Sequence, residues 1–284
     1  MATFFNQATL SYNNRTAVSN IVRGELVEVL SASKTSVTDN YSPGEVLTYI
    51  VSVQNTGTVP YTGLSITDNL GEYDFGAGTV VPLTYVDGSA KYYVNGTLQP
   101  EPGVTPGAPL VISDISVPAG GNAMVVYSAE ANGYAPLGDG AAIINTATVT
   151  GAGITTPIVA ADTVSAGTDP ELSISKSLSP ANVAENGELT YTFIIGNTGA
   201  SAAEAGDNVS VSDNFDPILN NITVTLNGAP LTAGTDYSYD TATGAFSTTD
   251  GAVTVPAATY EQDPGSGLWS VTPGTSTLVV TGTV

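Results

Sequence analysis

An ordered set of short motifs occurs twice along this chain, and such a duplication restricts the fold to similar modules stacked in series. Ser31-Ala32-Ser33-Lys34 corresponds to Ser173-Ile174-Ser175-Lys176, Gly44-Glu45 to Gly187-Glu188, and Leu47-Thr48-Tyr49 to Leu189-Thr190-Tyr191. Asn55-Thr56-Gly57 returns as Asn197-Thr198-Gly199, and Ile66-Thr67-Asp68-Asn69-Leu70 as Val211-Ser212-Asp213-Asn214-Phe215. A later segment, Met124-Val125-Val126-Tyr127, aligns with Leu278-Val279-Val280-Thr281. The 284 residues suffice for two domains, each burying its own core.

Between the motifs, Val, Thr, Tyr and Ile alternate with polar residues, and 31 Gly and 17 Pro punctuate them. In the first copy this pattern predicts strands at 26–33, 46–54, 64–68, 80–86, 90–94, 111–117, 123–129 and 143–150. Pro43-Gly44, Asp87-Gly88, Asn95-Gly96 and Ala119-Gly120-Gly121 supply turns between them. No stretch has helical periodicity with caps. The chain reads as all-β: two tandem sandwiches over 25–164 and 165–284, joined through 155–168, with residues 1–24 as an N-terminal strand and linker.

Composition removes several classes of function. The net charge is −21 with five basic residues, which leaves no basic stripe for nucleic acid or an anionic membrane. Without Cys or His the chain has no disulfide, no thiol chemistry and no Ser-His-Asp triad. No cofactor is expected and no metal. Asp68-Asn69 and Asp213-Asn214-Phe215-Asp216 lack the spacing of a calcium loop. No apolar run reaches membrane-spanning length, and no signal peptide is visible.

One strand occurs a third time. Ile144-Asn145-Thr146-Ala147-Thr148-Val149-Thr150 closes the first domain, and Phe5-Asn6-Gln7-Ala8-Thr9-Leu10-Ser11 nearly copies it ahead of that domain. The second domain stops before such a strand. From Asn6 to Lys34 is 34 − 6 = 28 residues, and from Asn145 to Lys176 is 176 − 145 = 31. The N-terminal strand thus stands where a preceding domain's last strand would stand. The expectation is that Phe4, Phe5, Asn6, Ala8 and Leu10 enter the open second domain of another copy. Residues 13–24, with the turn signal Asn13-Asn14, read as a polar linker. Such a head-to-tail contact propagates into a homopolymer. The plainer alternatives are a second domain that closes differently, or a shortened chain.

The Lys-bearing strand, the Gly-Glu-x-x-x-Tyr and Asn-Thr-Gly segments, the Asp-Asn pair and the Asn-Thr-Ala-Thr-Val strand resemble the repeat called domain of unknown function eleven. That resemblance implies immunoglobulin-like sandwiches in a bacterial or archaeal surface protein. Two-repeat chains of this size look like subunits of clostridial spore appendages. Such subunits are made inside the mother cell, which fits the absent signal peptide, and the resemblance names no capping or anchoring protein. The rival function is an adhesin module that binds a glycan or host protein.

Lys34 and Lys176, two of the three lysines, fall on equivalent strands, each with an Asp, Asp68 or Asp213, on a later one. Asn145 closes the first domain, and Asn6 of a neighbour would close the second. Lys, Asp and Asn so placed resemble the self-forming isopeptide bonds of Gram-positive pilins and adhesins. The resemblance implies a Lys34–Asn145 link within the subunit and a Lys176–Asn6 link between subunits, with Asp68 and Asp213 as assisting acids. Burial favours a neutral, nucleophilic amine, and a protonated Asp can polarise the carboxamide. Each pair reacts once, so the chain is not expected to be an enzyme. The alternatives are surface lysines in ordinary ion pairs and turn-forming asparagines. Lys91 reads as a solvated strand residue. Asn14, Asn95, Asn208 and Asn221 begin chance-frequent glycosylation triplets. Trp269, Tyr260, Tyr237 and Tyr239 suit a carbohydrate-stacking face or, more simply, the core.

Overall fold

The computed structural model describes residues 2–26 and 28–284. The chain starts as an arm of four strands: β1 (Ala2–Asn6), β2 (Thr9–Tyr12), β3 (Arg15–Val18) and β4 (Val22–Leu26). β2 pairs with β3 and β1 with β4, both antiparallel, so the arm is one folded-back hairpin. Asn13 and Asn14 turn it, at φ of 45° and 60°, the left-handed pair that a tight hairpin turn demands. The stretch 13–24 is therefore mostly strand rather than linker. Its polarity misled because a strand carrying Thr16, Val18 and Val22 needs only alternate apolar residues.

Domain one runs β5 (Leu30–Ser36), β6 (Asn40–Tyr41), β7 (Val46–Asn55), β8 (Tyr61–Asp68), β9 (Tyr73–Phe75), β10 (Gly78–Val80) and β11 (Leu83–Tyr85). It continues with β12 (Lys91–Val94), β13 (Thr97–Leu98), β14 (Gly103–Thr105), β15 (Leu110–Val117), β16 (Asn122–Ala131), β17 (Ala142–Thr150) and β18 (Ile158–Ala166). One sheet has the order β13-β12-β16-β7-β5; the facing sheet is β14-β15-β8-β17-β18-β6. Alternate residues of each strand point inward: Leu47, Tyr49, Val51 and Val53 on β7, Leu64 and Ile66 on β8, Ala147 and Val149 on β17. Each fully buried aliphatic of this kind contributes about 1.5–3 kcal/mol. The stretch 155–168 is mostly β18, a full member of this sheet, so the domain closes with a hairpin. The strand expected at 26–33 is observed as β5 from Leu30 onward; Leu26 ends β4, and residue 27 lies outside the described residues.

Domain two runs β19 (Leu172–Ser179), β20 (Glu188–Asn197), β21 (Ser212–Asn214), β22 (Asn220–Leu226) and β23 (Ala229–Pro230). It ends with β24 (Tyr237–Tyr239), β25 (Ala245–Thr248), β26 (Thr259–Gln262), β27 (Trp269–Thr272) and β28 (Gly274–Thr283). The order β19-β20-β28-β22-β23 repeats the first sheet of domain one, and β21-β25-β24 repeats the β8-β15-β14 part of the second. Among the described residues, domain two has no counterpart of β17 or β18. The fold is all-β, two immunoglobulin-like sandwiches in tandem.

The repeat extends to buried polar atoms. Asn55 and Asn197 are both buried, and each donates twice to loop carbonyls, Val59 and Pro118 or Ser201 and Pro256. Each also accepts from the glycine two residues on, Gly57 or Gly199. The Asn-Thr-Gly motif is thus a staple holding loops that would otherwise bury unpaired carbonyls.

One alignment is corrected. Tyr127 lies opposite Tyr49, whereas Val280 lies opposite Tyr191, so Val280 and not Thr281 is the counterpart of Tyr127. A one-residue slip along a strand exchanges its two faces.

Candidate functional site

Three polar residues occupy inward positions of domain one, where the alternation calls for apolar ones. Lys34 lies on β5 opposite Val51, Asp68 ends β8 opposite Ala147, and Asn145 lies on β17 opposite Asp162. All three are buried, Lys34 at 4% exposure. Lys34 Nζ sits 2.5 Å from Asp68 Oδ2. The Tyr127 hydroxyl donates to the same oxygen at 2.6 Å and accepts from Asn145 Nδ2 at 3.2 Å. Leu70 N–H donates to Asp68 Oδ1 at 3.0 Å. A continuous chain of contacts therefore runs from Lys34 through Asp68 and Tyr127 to Asn145.

The ammonium rests 4.9 Å from the ring centre of Tyr49 and 5.8 Å from that of Tyr127, which stack on each other. Burial pulls Lys34 down from its ordinary 10.5 to about 8, opposed in part by the charge and hydrogen bond of Asp68 and by Asp162. The same burial pushes the Tyr49 and Tyr127 hydroxyls up. Asn145 Oδ1 and the Tyr49 hydroxyl have no hydrogen-bond partner among the described residues. A buried carbonyl oxygen without a donor leaves its carboxamide poorly stabilised in the ground state.

Domain two holds half of this arrangement. Lys176 on β19 pairs with Asp213 on β21, over the rings of Tyr191, Phe215 and Phe193. Here the lysine side chain is 40% exposed and the aspartate 17%. Beyond Lys176, Asp213 Oδ2 meets no hydrogen-bond donor among the described residues. Val280 stands where Tyr127 stands in domain one, so no hydroxyl bridges the pair.

The exposure has a structural cause. In domain one, β8 pairs with β15 and with β17, and β18 beyond them lies over β5, with Ser36 N–H donating to Asp162 Oδ2 at 2.7 Å. In domain two, β21 pairs with β25 alone, and nothing among the described residues lies over β19. Leu172, Ile174, Lys176 and Leu178, the row equivalent to Leu30, Ala32, Lys34 and Ser36, is exposed throughout.

The arm is the other uncovered surface, with Phe4, Phe5, Leu10, Tyr12, Val18, Ile21 and Val22 all exposed. Matched to β17 through Asn6 and Asn145, the residues Phe4, Asn6, Ala8 and Leu10 correspond to the buried row Ile143, Asn145, Ala147 and Val149. Phe5 corresponds to Ile144, which faces outward. Asn6 itself is exposed on β1.

Of the residues singled out from sequence, the structure brings Lys34, Asp68 and Asn145 together, and Lys176 with Asp213. Sequence reasoning gave no chemical part to Tyr127, Tyr49 or Asp162. The first two entered only as members of repeated motifs, and Asp162 fell in the stretch read as joining the domains. Tyr237 is buried and Tyr239 packs against the core, its hydroxyl held by the Leu219 backbone. Trp269 and Gln262, on the β26–β27 hairpin, both donate to the Tyr73 hydroxyl of domain one, at 3.4 and 3.0 Å. Tyr260, on the same side of that hairpin as Trp269, donates to the Thr198 carbonyl at 2.8 Å, whereas Tyr237 and Tyr239 belong to the core of domain two. The glycosylation-triplet residues Asn14, Asn95, Asn208 and Asn221 all have positive φ, so turn geometry alone accounts for asparagine there. Lys91 is exposed, 3.6 Å from Glu101.

No protein-family model matches the chain, and no curated protein matches it. Among solved structures, the pilus backbone of Streptococcus pneumoniae is similar over 86% of this chain at 12% identity and a TM-score of 0.35. The chain spans 55% of that protein's length. A 35 kDa C-terminal fragment of the major pilin of Streptococcus agalactiae is similar over 87% of this chain and 91% of its own, at 13% identity and a TM-score of 0.35. The collagen-binding domain of a Staphylococcus aureus adhesin matches 49% of this chain and 99% of its own length, at 8% identity and a TM-score of 0.30. No helix among the described residues is long and apolar enough to cross a membrane.

Proposed function

We propose that the chain is the structural subunit of an extracellular or spore-surface filament, built by insertion of its N-terminal strand into domain two of the next subunit. One observation carries this reading. The same chain exposes an unpaired sheet edge at β21 and an uncovered copy of the strand that fills the equivalent edge in domain one. Main-chain hydrogen bonds along β21 would give affinity, and the row Phe4, Asn6, Ala8 and Leu10 would set register. The contact is heterologous and does not close as a two-fold dimer, so it propagates. The resemblance to repeats of bacterial surface proteins and to spore-appendage subunits supports the same setting.

Covalent locking fits the buried constellation. In the Lys34–Asp68 pair, one ammonium proton passes to Asp68 and frees the amine. Nζ then attacks Asn145 Cγ, and Asp68 returns its proton to the departing amide nitrogen. A Lys–Asn amide forms, the Asn145 C–N bond breaks, ammonia leaves, and the second Nζ proton stays on Asp68 or goes to the ammonia. Lys176, Asp213 and the neighbour's Asn6 would repeat this between subunits once burial is complete. Electron microscopy of the purified chain tests the filament reading: unbranched fibres are expected, and monodisperse monomers at high concentration contradict it.

A further inference from the structure

Resting on that filament reading, we infer that the donated element is the whole hairpin, residues 2–26 of a second copy, and not a single strand. β1–β2 alone would take the place of β17 and satisfy the edge of β21. It would leave β19 bare, because in domain one β5 is covered by β18, the strand after β17. Four alternate residues of β19, Leu172, Ile174, Lys176 and Leu178, would still face water.

The arm carries the missing cover in the right place. Asn145 lies opposite Asp162 on β18, and Asn6 lies opposite Val22 on β4. With Asn6 facing the groove, its cross-strand partner Val22 faces it too, and so does Gly24 opposite Phe4. A side chain at position 24 would collide with the Phe4 ring, so glycine lets that ring lie across β4. Arg23 and Glu25 fall on the other face, opposite Phe5 and Thr3, and pair with each other at 2.8 Å. Along β1 and β4 the hairpin thus has a groove face without charge and an outer face with an ion pair, and Arg15, opposite Tyr12 beside the turn, falls on the groove face. A free two-stranded hairpin is marginal in water, and one exposing this much apolar surface calls for a partner. β3 and β4 therefore bury Lys176 in the assembled filament as β18 buries Lys34 within the subunit.

Two engineered cysteine pairs in the full chain separate the possibilities, since the protein has no cysteine of its own. Both are made with Lys176→Ala, so that any ladder is disulfide only. Val22→Cys with Leu178→Cys reports hairpin donation, because Val22 and Leu178 correspond to Asp162 and Ser36, which touch in domain one. Thr9→Cys with Ser212→Cys reports strand insertion alone, after the Thr148–Thr67 pairing. Hairpin donation predicts reducible multimer ladders from both pairs under mild oxidation. A ladder from the second pair without one from the first overturns the hairpin and leaves strand insertion standing. No ladder from either overturns both.

Discussion

Lys34 and Lys176 stand at equivalent positions of β5 and β19, opposite Val51 and Phe193, yet one is buried and the other open to solvent. The difference is the strand above them. Before any amide forms, Lys34 keeps a charge in a buried core where Asp68 compensates it, while water shares that task at Lys176. In the free subunit the two lysines should therefore differ sharply in their contribution to stability.

In an Asn145→Ala background, where Lys34 stays an unreacted ammonium, Lys34→Ala leaves the Asp68 carboxylate buried without its cation, a change that typically costs about 3–5 kcal/mol. Lys176→Ala removes a solvent-screened pair and should cost under about 1 kcal/mol. Calorimetry of a variant lacking residues 1–12, so that subunits stay apart, reads the two transitions. Equal losses for the two substitutions contradict the asymmetry.

The Lys34–Asn145 bond predicts an intact mass lower than the sequence mass by one ammonia in the unassembled chain. Lys34→Ala, Asn145→Ala and Asp68→Ala should each restore the full mass expected for the variant. Assembled wild-type material should add a boiling-resistant ladder that Lys176→Ala abolishes. Dissociation to monomers of unmodified mass would falsify both bonds.

In Asn145→Ala, Lys34 remains a free amine and its depressed titration becomes a stability effect. Between about 8 and the ordinary 10.5 the unfolded chain holds the proton that the folded chain has lost, so stability rises with pH across that window. Above about 10 the raised Tyr49 and Tyr127 hydroxyls act the other way, since the unfolded chain then ionises first. Denaturant unfolding at intervals from pH 7 to pH 11 should show the rise in Asn145→Ala. A wild-type chain carrying the amide should lack it.

Asn55→Ala and Asn197→Ala each orphan two loop carbonyls and remove an acceptor for a glycine N–H. With about 1–3 kcal/mol for each unsatisfied buried group, each substitution should lower the stability of its own domain by about 2–4 kcal/mol. Thermal scans should show the first shifting only the domain-one transition and the second only the domain-two transition.

The repeat made much of this legible in sequence. A Lys and an Asp recurring at matched positions of strands with period-two patterning already sit on inward faces, and the Asn145 strand completed the set. Tyr127 was not legible as a bridge, because a tyrosine in Met124-Val125-Val126-Tyr127 has the pattern of ordinary core and only register reveals its hydroxyl beside Asp68. Nor was β18: Ala160, Ala161 and Asp162 have weak strand preference, and the strand exists because it covers β5. The arm hid its second half for the same reason, since Gly24 and Glu25 have weak strand preference and lie in a strand through pairing with β1.

Sedimentation velocity of the full chain beside a variant lacking residues 1–12 tests the central claim most directly. Head-to-tail insertion predicts a concentration-dependent series of large species for the full chain and a single monomeric boundary for the variant. Large species persisting in the variant would contradict it.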